Sequence, residues 1–350
     1  MSHPAPTAAS MLETYARLWA IHRIASMDRF QGFFLGESLV DNLKFVEAAA
    51  LAQTLVTGRY LAVAASIHCV LFFSTLPYAW DSEWLCAETD LAFILLTYVL
   101  RNNQEALWKE AQRTISMQMV LFYTGAGLFK LNTSFMEPST SCAPTFIALL
   151  TEGYLSGAWQ RFLPLASLLV TTAPLMTVVG EISLALALAL GFAWSGVGIG
   201  LLLHLGIALT PPPFNVSVFS CVCATRLFVF VPEAATRAAS SLPSKPFIAM
   251  SAVLVAAAAV LGDKHFGDRA LPCYIGYSLL FLRAAILHFR PPSVGTAAAD
   301  ATSKGGGGGG TPASRAVAAG CITLGALISL VLPTLGLMDL GTPNMCVFPK

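Results

Sequence analysis

Charge is what this sequence has least of. Of 350 residues, 20 are Lys or Arg and 19 are Asp or Glu, so 11% are charged, less than half the roughly 25% of an ordinary soluble domain. A folded surface needs polar cover. With 56% hydrophobic residues and a mean hydropathy of +0.69, the chain has too little of it for a water-soluble globule, and it is neither a disordered tail nor a fibrous repeat. A net charge of +1 leaves no basic face to neutralise phosphates, which excludes a nucleic-acid partner. No C-x-x-C and no H-E-x-x-H occurs, and the 8 cysteines follow no ligand spacing, so no metal is expected. Cys221 and Cys223 form C-x-C within an apolar run, where thiols pack as small hydrophobes. Met1 to Ser10 are polar and contain proline, without the apolar centre and cleavage site of a secretory leader. Insertion is expected to rely on the first true span.

What the chain does have is apolar runs of bilayer length, taking about 17–25 residues per spanning helix. They are Tyr60–Pro77, Thr114–Leu131, Phe162–Trp194, Gly196–Pro212, Phe214–Val231, Phe247–Gly262, Leu271–His288 and Ala316–Met338, with Glu83–Leu100 shorter. Phe162–Trp194 is too long for one upright span; it reads as a tilted helix kinked near Pro174 or as a helix plus a re-entrant piece. The expected fold is an all-α polytopic transmembrane bundle of about nine spans (eight to ten). Residues 46–290 form its main transmembrane domain. Residues 1–45 form a cytoplasmic or interfacial amphipathic segment, with a poorly hydrophobic extra span as the alternative. Residues 291–315, with the run Gly305–Gly310, read as a flexible linker, and 316–350 as a last spanning helix and short tail.

Loop charges set the orientation. Tyr78–Asp90 carries four acidic residues and no Lys or Arg, whereas Arg101, Lys109 and Arg113, then Arg237 and Lys245, then Arg290, Lys304 and Arg315 fall in loops that alternate onto one face. The positive-inside rule makes that face, and the N-terminus, cytoplasmic. The organelle is open, the endoplasmic reticulum or another endomembrane being compatible. Cys86, Cys142 and Cys346 then lie outside, where two of them can pair if the face is lumenal; three pairings are open.

An ionisable group inside a span costs a few kcal/mol or more, so each one points to a use. Arg59 and Arg226 lie near helix ends on the basic face, and snorkelling accounts for them. Lys130 ends a segment containing Gly125, Ala126 and Gly127, small residues that let another helix approach. Tyr123 and Lys130 are seven apart and share a helical face, which can line a cavity near the outer boundary. An amine held among apolar groups is poised as a general base; the competing reading is a lysine reaching for headgroups. His204 sits mid-span, where a hydrogen-bonded packing role competes with a ligand role. Glu181 needs a partner, with His204 and Arg226 as candidates. Pro211–Pro213 ends the span after His204.

At these residues the chain resembles a known family. "YTGAGLFKLN", ending at Asn132, looks like the signature segment of HTTM-domain proteins, the transmembrane relatives of vitamin K-dependent gamma-glutamyl carboxylase. The order also matches across residues 50–232: "LRNNQEAL" at 100–107, the glycine-lysine segment, a span with Glu181, then "LLLHLGIALTPPPFNVSVF" at 201–219. The resemblance implies deprotonation of a reduced quinone of the vitamin K hydroquinone type by a membrane lysine. Oxygen and carbon dioxide are co-reactants in carboxylating a glutamate. Lys130 stands at the position of the family's base and His204 at that of a pocket histidine, the two catalytic candidates. Tyr123, Gly127, Glu181, Asn103 and Gln104 are the expected pocket residues. Gln104 stands where the family's motif has histidine, and a glutamine cannot carry a proton. The carboxylase's large lumenal domain has no counterpart within residues 1–350.

Two functions compete: a quinol-using enzyme with Lys130 as base, and a non-catalytic membrane protein that binds a quinone- or lipid-like molecule or a partner. A transporter would show internal repeats and paired broken helices, and no convincing repeat is seen.

Overall fold

The structure, a computed structural model, describes residues 8–26, 36–76, 81–101, 103–155, 159–210, 217–232, 270–289 and 310–334. Every element among the described residues is helical: α1 (Ala8–Ser26), α2 (Glu37–Thr57), α3 (Leu61–Thr75), α4 (Asp81–Val99), α5 (Gln104–Phe129), α6 (Thr133–Met136), α7 (Ala143–Leu155), α8 (Trp159–Ala189), α9 (Ala193–Leu209), α10 (Ser217–Leu227), α11 (Ala270–Phe289) and α12 (Pro312–Ala326). A 3-10 turn, Phe228–Phe230, extends α10, and a π-helical turn, Leu327–Val331, carries α12 to a last turn, Leu332–Thr334. The expected span Phe247–Gly262, Gly305 to Gly309 and Cys346 lie outside the described residues.

Local chemistry fixes the helix ends that matter. The Asn103 side chain accepts a hydrogen bond from the Ala106 amide and starts α5; Asn132 does the same for Phe135 and starts α6. Each satisfies an amide that the first turn would leave unbonded. α2 stops at Gly58, whose φ of 70° places it in the left-handed region and whose amide bonds to the Thr54 carbonyl. α12 begins at Thr311-Pro312, with the Thr311 hydroxyl accepting from Ser314. This cap and proline pair puts residues 312–315 in the helix rather than in the expected linker.

The long run Phe162–Trp194 resolves into two elements. α8 takes in both Pro164 and Pro174 and ends before Gly191, at φ 79°, so Trp194 belongs to α9. α5 is the central helix, packed against α1, α4, α8 and α12. Two helices, Pro164–Ala189 and Pro312–Val331, are long and apolar enough to cross a membrane, and five shorter apolar helices accompany them among the described residues. On α8, Leu165, Leu168, Leu175, Met176, Val179 and Leu186 are each more than half exposed.

The N-terminal segment departs from the expected surface helix. A helix lying in an interface keeps one face wet, but α1 buries Tyr15, Trp19, Ile21, His22 and Arg23 against α2, α5, α10 and α11. The Arg23 charge is neutralised at a distance. Arg23 donates through Nε and Nη2 to the two Glu47 oxygens, both at 2.9 Å, a bidentate pair. The expected boundary at residue 46 falls inside α2 and is not a boundary in the fold.

Arg226 also departs from expectation, being 0% exposed rather than snorkelling. Its Nη2 donates to Asp90 at 3.3 Å and its Nε to Thr89 at 2.9 Å. Asp90 also accepts from Trp19 Nε1 at 2.8 Å and pairs with His68 Nδ1 at 2.7 Å. Asp90 thus sits within α4 rather than in an outer acidic loop, and it ties α1, α3, α4 and α10 together.

Candidate functional site

α5 ends at Lys130, which caps it and sends its side chain back along the helix, as helical geometry favours. Nζ lies 3.4 Å from the Ala126 carbonyl and 2.9 and 3.0 Å from the two oxygens of Glu181. Both residues are 8% exposed. The Phe135 ring stands 5.9 Å from Nζ, within cation–π range. Glu181 is therefore the partner of Lys130, not of His204 or Arg226. Gly127 makes the meeting feasible: a Cβ there would lie 2.7 Å from Ile182 Cγ1 and 3.6 Å from the Glu181 Cβ. Gly127 is not in the cavity wall but holds α8 close enough for Glu181 to reach. Gly125 does the same on the other side of α5, where a Cβ would collide with the Ser329 carbonyl. The close approach expected of this small-residue segment is thus made twice.

One turn before Ala126, the Tyr123 hydroxyl and His204 Nε2 are 2.7 Å apart, each residue being 1% exposed. The Phe219 ring packs edge-on to the His204 imidazole at 5.0 Å. Ser220 donates to the His204 backbone carbonyl at 2.9 Å and so ties α9 to α10. His204 Nδ1 is buried without a hydrogen-bond partner among the described residues. With either tautomer that leaves one donor or one acceptor unmet, which costs about 1–3 kcal/mol until something meets it.

Both pairs open onto one cavity of about 160 Å³, walled by Phe122, Ala126, Phe135, Phe146, Ile147 and Phe219 among others. Cys142 also lines it and is disulfide-bonded, whereas Cys86, the first of the three cysteines expected outside, is free and buried. Lys130, His204, Tyr123 and Glu181 are thus brought together, as the sequence suggested. Asn103 and Gln104 are not. They begin α5, a helix of 26 residues and hence about 39 Å long, so they stand at the far end from Lys130. Asn103 is a helix cap and no part of the cavity wall.

The sequence reading missed two features. The Lys130–Glu181 pair was recoverable in principle, since two opposite charges in apolar runs invite pairing. The α6–α7 wall with Phe135, Phe146 and Cys142 carried no periodic signal. No group of three or more His, Cys, Asp or Glu suited to a metal ion occurs among the described residues. No family model, no curated protein and no solved structure matches the chain.

Proposed function

We propose that this is a multi-pass integral membrane protein of the HTTM, carboxylase-like type, whose cavity takes a reduced quinone and whose Lys130 serves as the base. The observation that carries the reading is the buried Lys130–Glu181 pair facing an apolar cavity. Multiple crossings are supported by the outward apolar side chains of α8, which water would not tolerate in such number and lipid would. The basic loops fit a cytoplasmic N-terminus.

A reduced quinone supplies an acidic ring hydroxyl and, with oxygen present, the reducing electrons. The residues fit such a group: aromatic walls for a ring, an unmet polar atom on His204 and an amine. Lys130 passes a proton to Glu181, whose oxygens lie 2.9 and 3.0 Å from Nζ, as it takes one from the ring hydroxyl, so the net transfer is from the hydroxyl to Glu181 with Lys130 as the relay. His204 and Tyr123 hold the other end of the ring.

The test is to reconstitute the protein in vesicles with vitamin K hydroquinone and oxygen and to measure epoxide. Turnover lost in Lys130→Ala supports the enzymatic reading; no turnover above background in either protein rejects it. One observation favours the second reading, a non-catalytic lipid or quinone binder: Glu181 satisfies the ammonium internally, so the pair also serves as a clamp between α5 and α8. In that case Lys130→Ala alters stability and ligand retention only.

A further inference from the structure

The turn that carries the chain from Lys130 into α6 is held by one side chain, that of Asn132. Its Nδ2 donates to the Phe129 carbonyl at 2.6 Å, and its Oδ1 accepts from the Phe135 amide at 2.8 Å. Phe129 is the last residue of α5, and its carbonyl is one of those a helix end leaves without an intrahelical partner. The second bond caps the first turn of α6. A carboxamide suits the place because it offers a donor and an acceptor on two arms of one rigid group. Lys130 lies in the chain between Phe129 and Phe135, so both bonds bear on it. One fixes the helix end from which Nζ reaches Glu181, at 2.9 Å. The other fixes the helix that presents the Phe135 ring, 5.9 Å from Nζ. Phe135 is 2% exposed and lines the cavity, whereas Asn132 stands outside the cavity wall.

We infer that Asn132 is a positioning residue for Lys130: it sets the turn that aims the amine at Glu181 and seats the Phe135 ring over it, acting through these two residues and not on the ligand. The inference rests on the reading of Lys130 as the site's working group. Asn103 supplies the contrast. Its Oδ1 accepts from the Ala106 amide at 2.9 Å and caps α5 in the same manner, but at the end of the helix far from the amine. Loss of either cap weakens a helix; only the loss of Asn132 is felt at Lys130.

The experiment measures how fast a water-soluble acylating reagent modifies Lys130 and Lys109 in the full chain in detergent, for the parent protein, Asn132→Ala, Asn132→Asp and Asn103→Ala. Asn132→Ala raises the Lys130 rate about fivefold, the change in open population that a lost cap of typical strength produces, and leaves Lys109 unchanged. Asn132→Asp keeps the oxygen that caps α6 and loses the donor to Phe129, so its Lys130 reacts faster than in the parent and slower than in Asn132→Ala. It also carries the comparison should Asn132→Ala fail to fold. Asn103→Ala lowers the unfolding temperature yet leaves Lys130 at the parent rate, an outcome that separates positioning from general loosening of α5. Lys130 rates in both Asn132 variants equal to the parent's overturn the inference and leave the sheltered amine standing. Equal acceleration by Asn103→Ala overturns it too, because any cap of α5 would then serve. A parent Lys130 as reactive as Lys109 overturns the sheltered site itself, and this inference with it.

Discussion

Among the described residues, the constellations around Asp90 and around Lys130 are both buried and charged, and they differ in kind. Around Asp90, both carboxylate oxygens are taken: Trp19 and Arg226 share one and His68 holds the other. Four helices converge there, and each polar group serves to hold them. Around Lys130 the ion pair, at 2.9 Å, is shorter than the 3.3 Å of Arg226–Asp90, but its neighbours are a cavity and a histidine nitrogen left unmet among the described residues. Burial of charge does not by itself make a functional site; the constellation that leaves room and an unmet polar atom beside its charges does.

The comparison breaks first at Arg226. Replacing it with alanine strands the Asp90 carboxylate inside the protein, where loss of one partner of a buried pair costs about 3–5 kcal/mol. Thermal unfolding in detergent reads this as the largest loss among the variants considered. An Arg226→Ala protein as stable as the parent would mean that the hub is wetter than its burial says.

Lys130→Ala strands Glu181 in the same way but beside a cavity that water can enter, so the expected loss is smaller, about 1–3 kcal/mol. Removing both groups in Lys130→Ala/Glu181→Ala recovers part of it, because no lone charge is left buried. A double variant as unstable as the sum of the single ones contradicts the pairing. Gly127→Ala should cost about 1–3 kcal/mol through overpacking, since its Cβ falls 2.7 Å from Ile182. It should also loosen Glu181 from Lys130, visible as faster amine labelling. Tyr123→Phe removes one buried hydroxyl and costs about 1 kcal/mol, with weaker ligand binding as the sharper readout. Gln104→His sits last, with an effect within about 0.5 kcal/mol and no change in any turnover, because the residue is a helix length from the cavity.

Much of the helical layout was legible because apolar helices announce themselves as apolar runs. α3, α4, α9 and α11 fall on the expected apolar runs within about three residues at each end, the scatter of any helix boundary being one or two. In α5 the first turns carry Glu105, Lys109, Glu110 and Arg113, so the apolar run reveals only its C-terminal half. The burial of α1 and α2 stayed hidden for a related reason. Their polar groups are met by residues far along the chain, Arg23 by Glu47 and the Trp19 indole by Asp90, and pairing over such separations leaves no period to read. The candidate site divides the same way. Tyr123 and Lys130 share a face by spacing alone, whereas Glu181 reaches Lys130 only because Gly127 lets α8 come close. Asn103 and Gln104 were drawn into the site by a motif, and the length of α5 takes them out of it.

The central claim is that the Lys130 amine is sheltered in a cavity that uses it. Its most direct test is the rate at which a water-soluble amine-acylating reagent modifies each lysine of the detergent-solubilised protein, read by peptide mass spectrometry. Lys109, whose side chain is 44% exposed, sets the ordinary rate. The account predicts that Lys130, with a side chain 10% exposed, reacts at least about tenfold more slowly, because a buried amine meets the reagent only when the site opens, and more slowly still with vitamin K hydroquinone bound. Modification of Lys130 at the rate of Lys109, unchanged by the quinol, would contradict it.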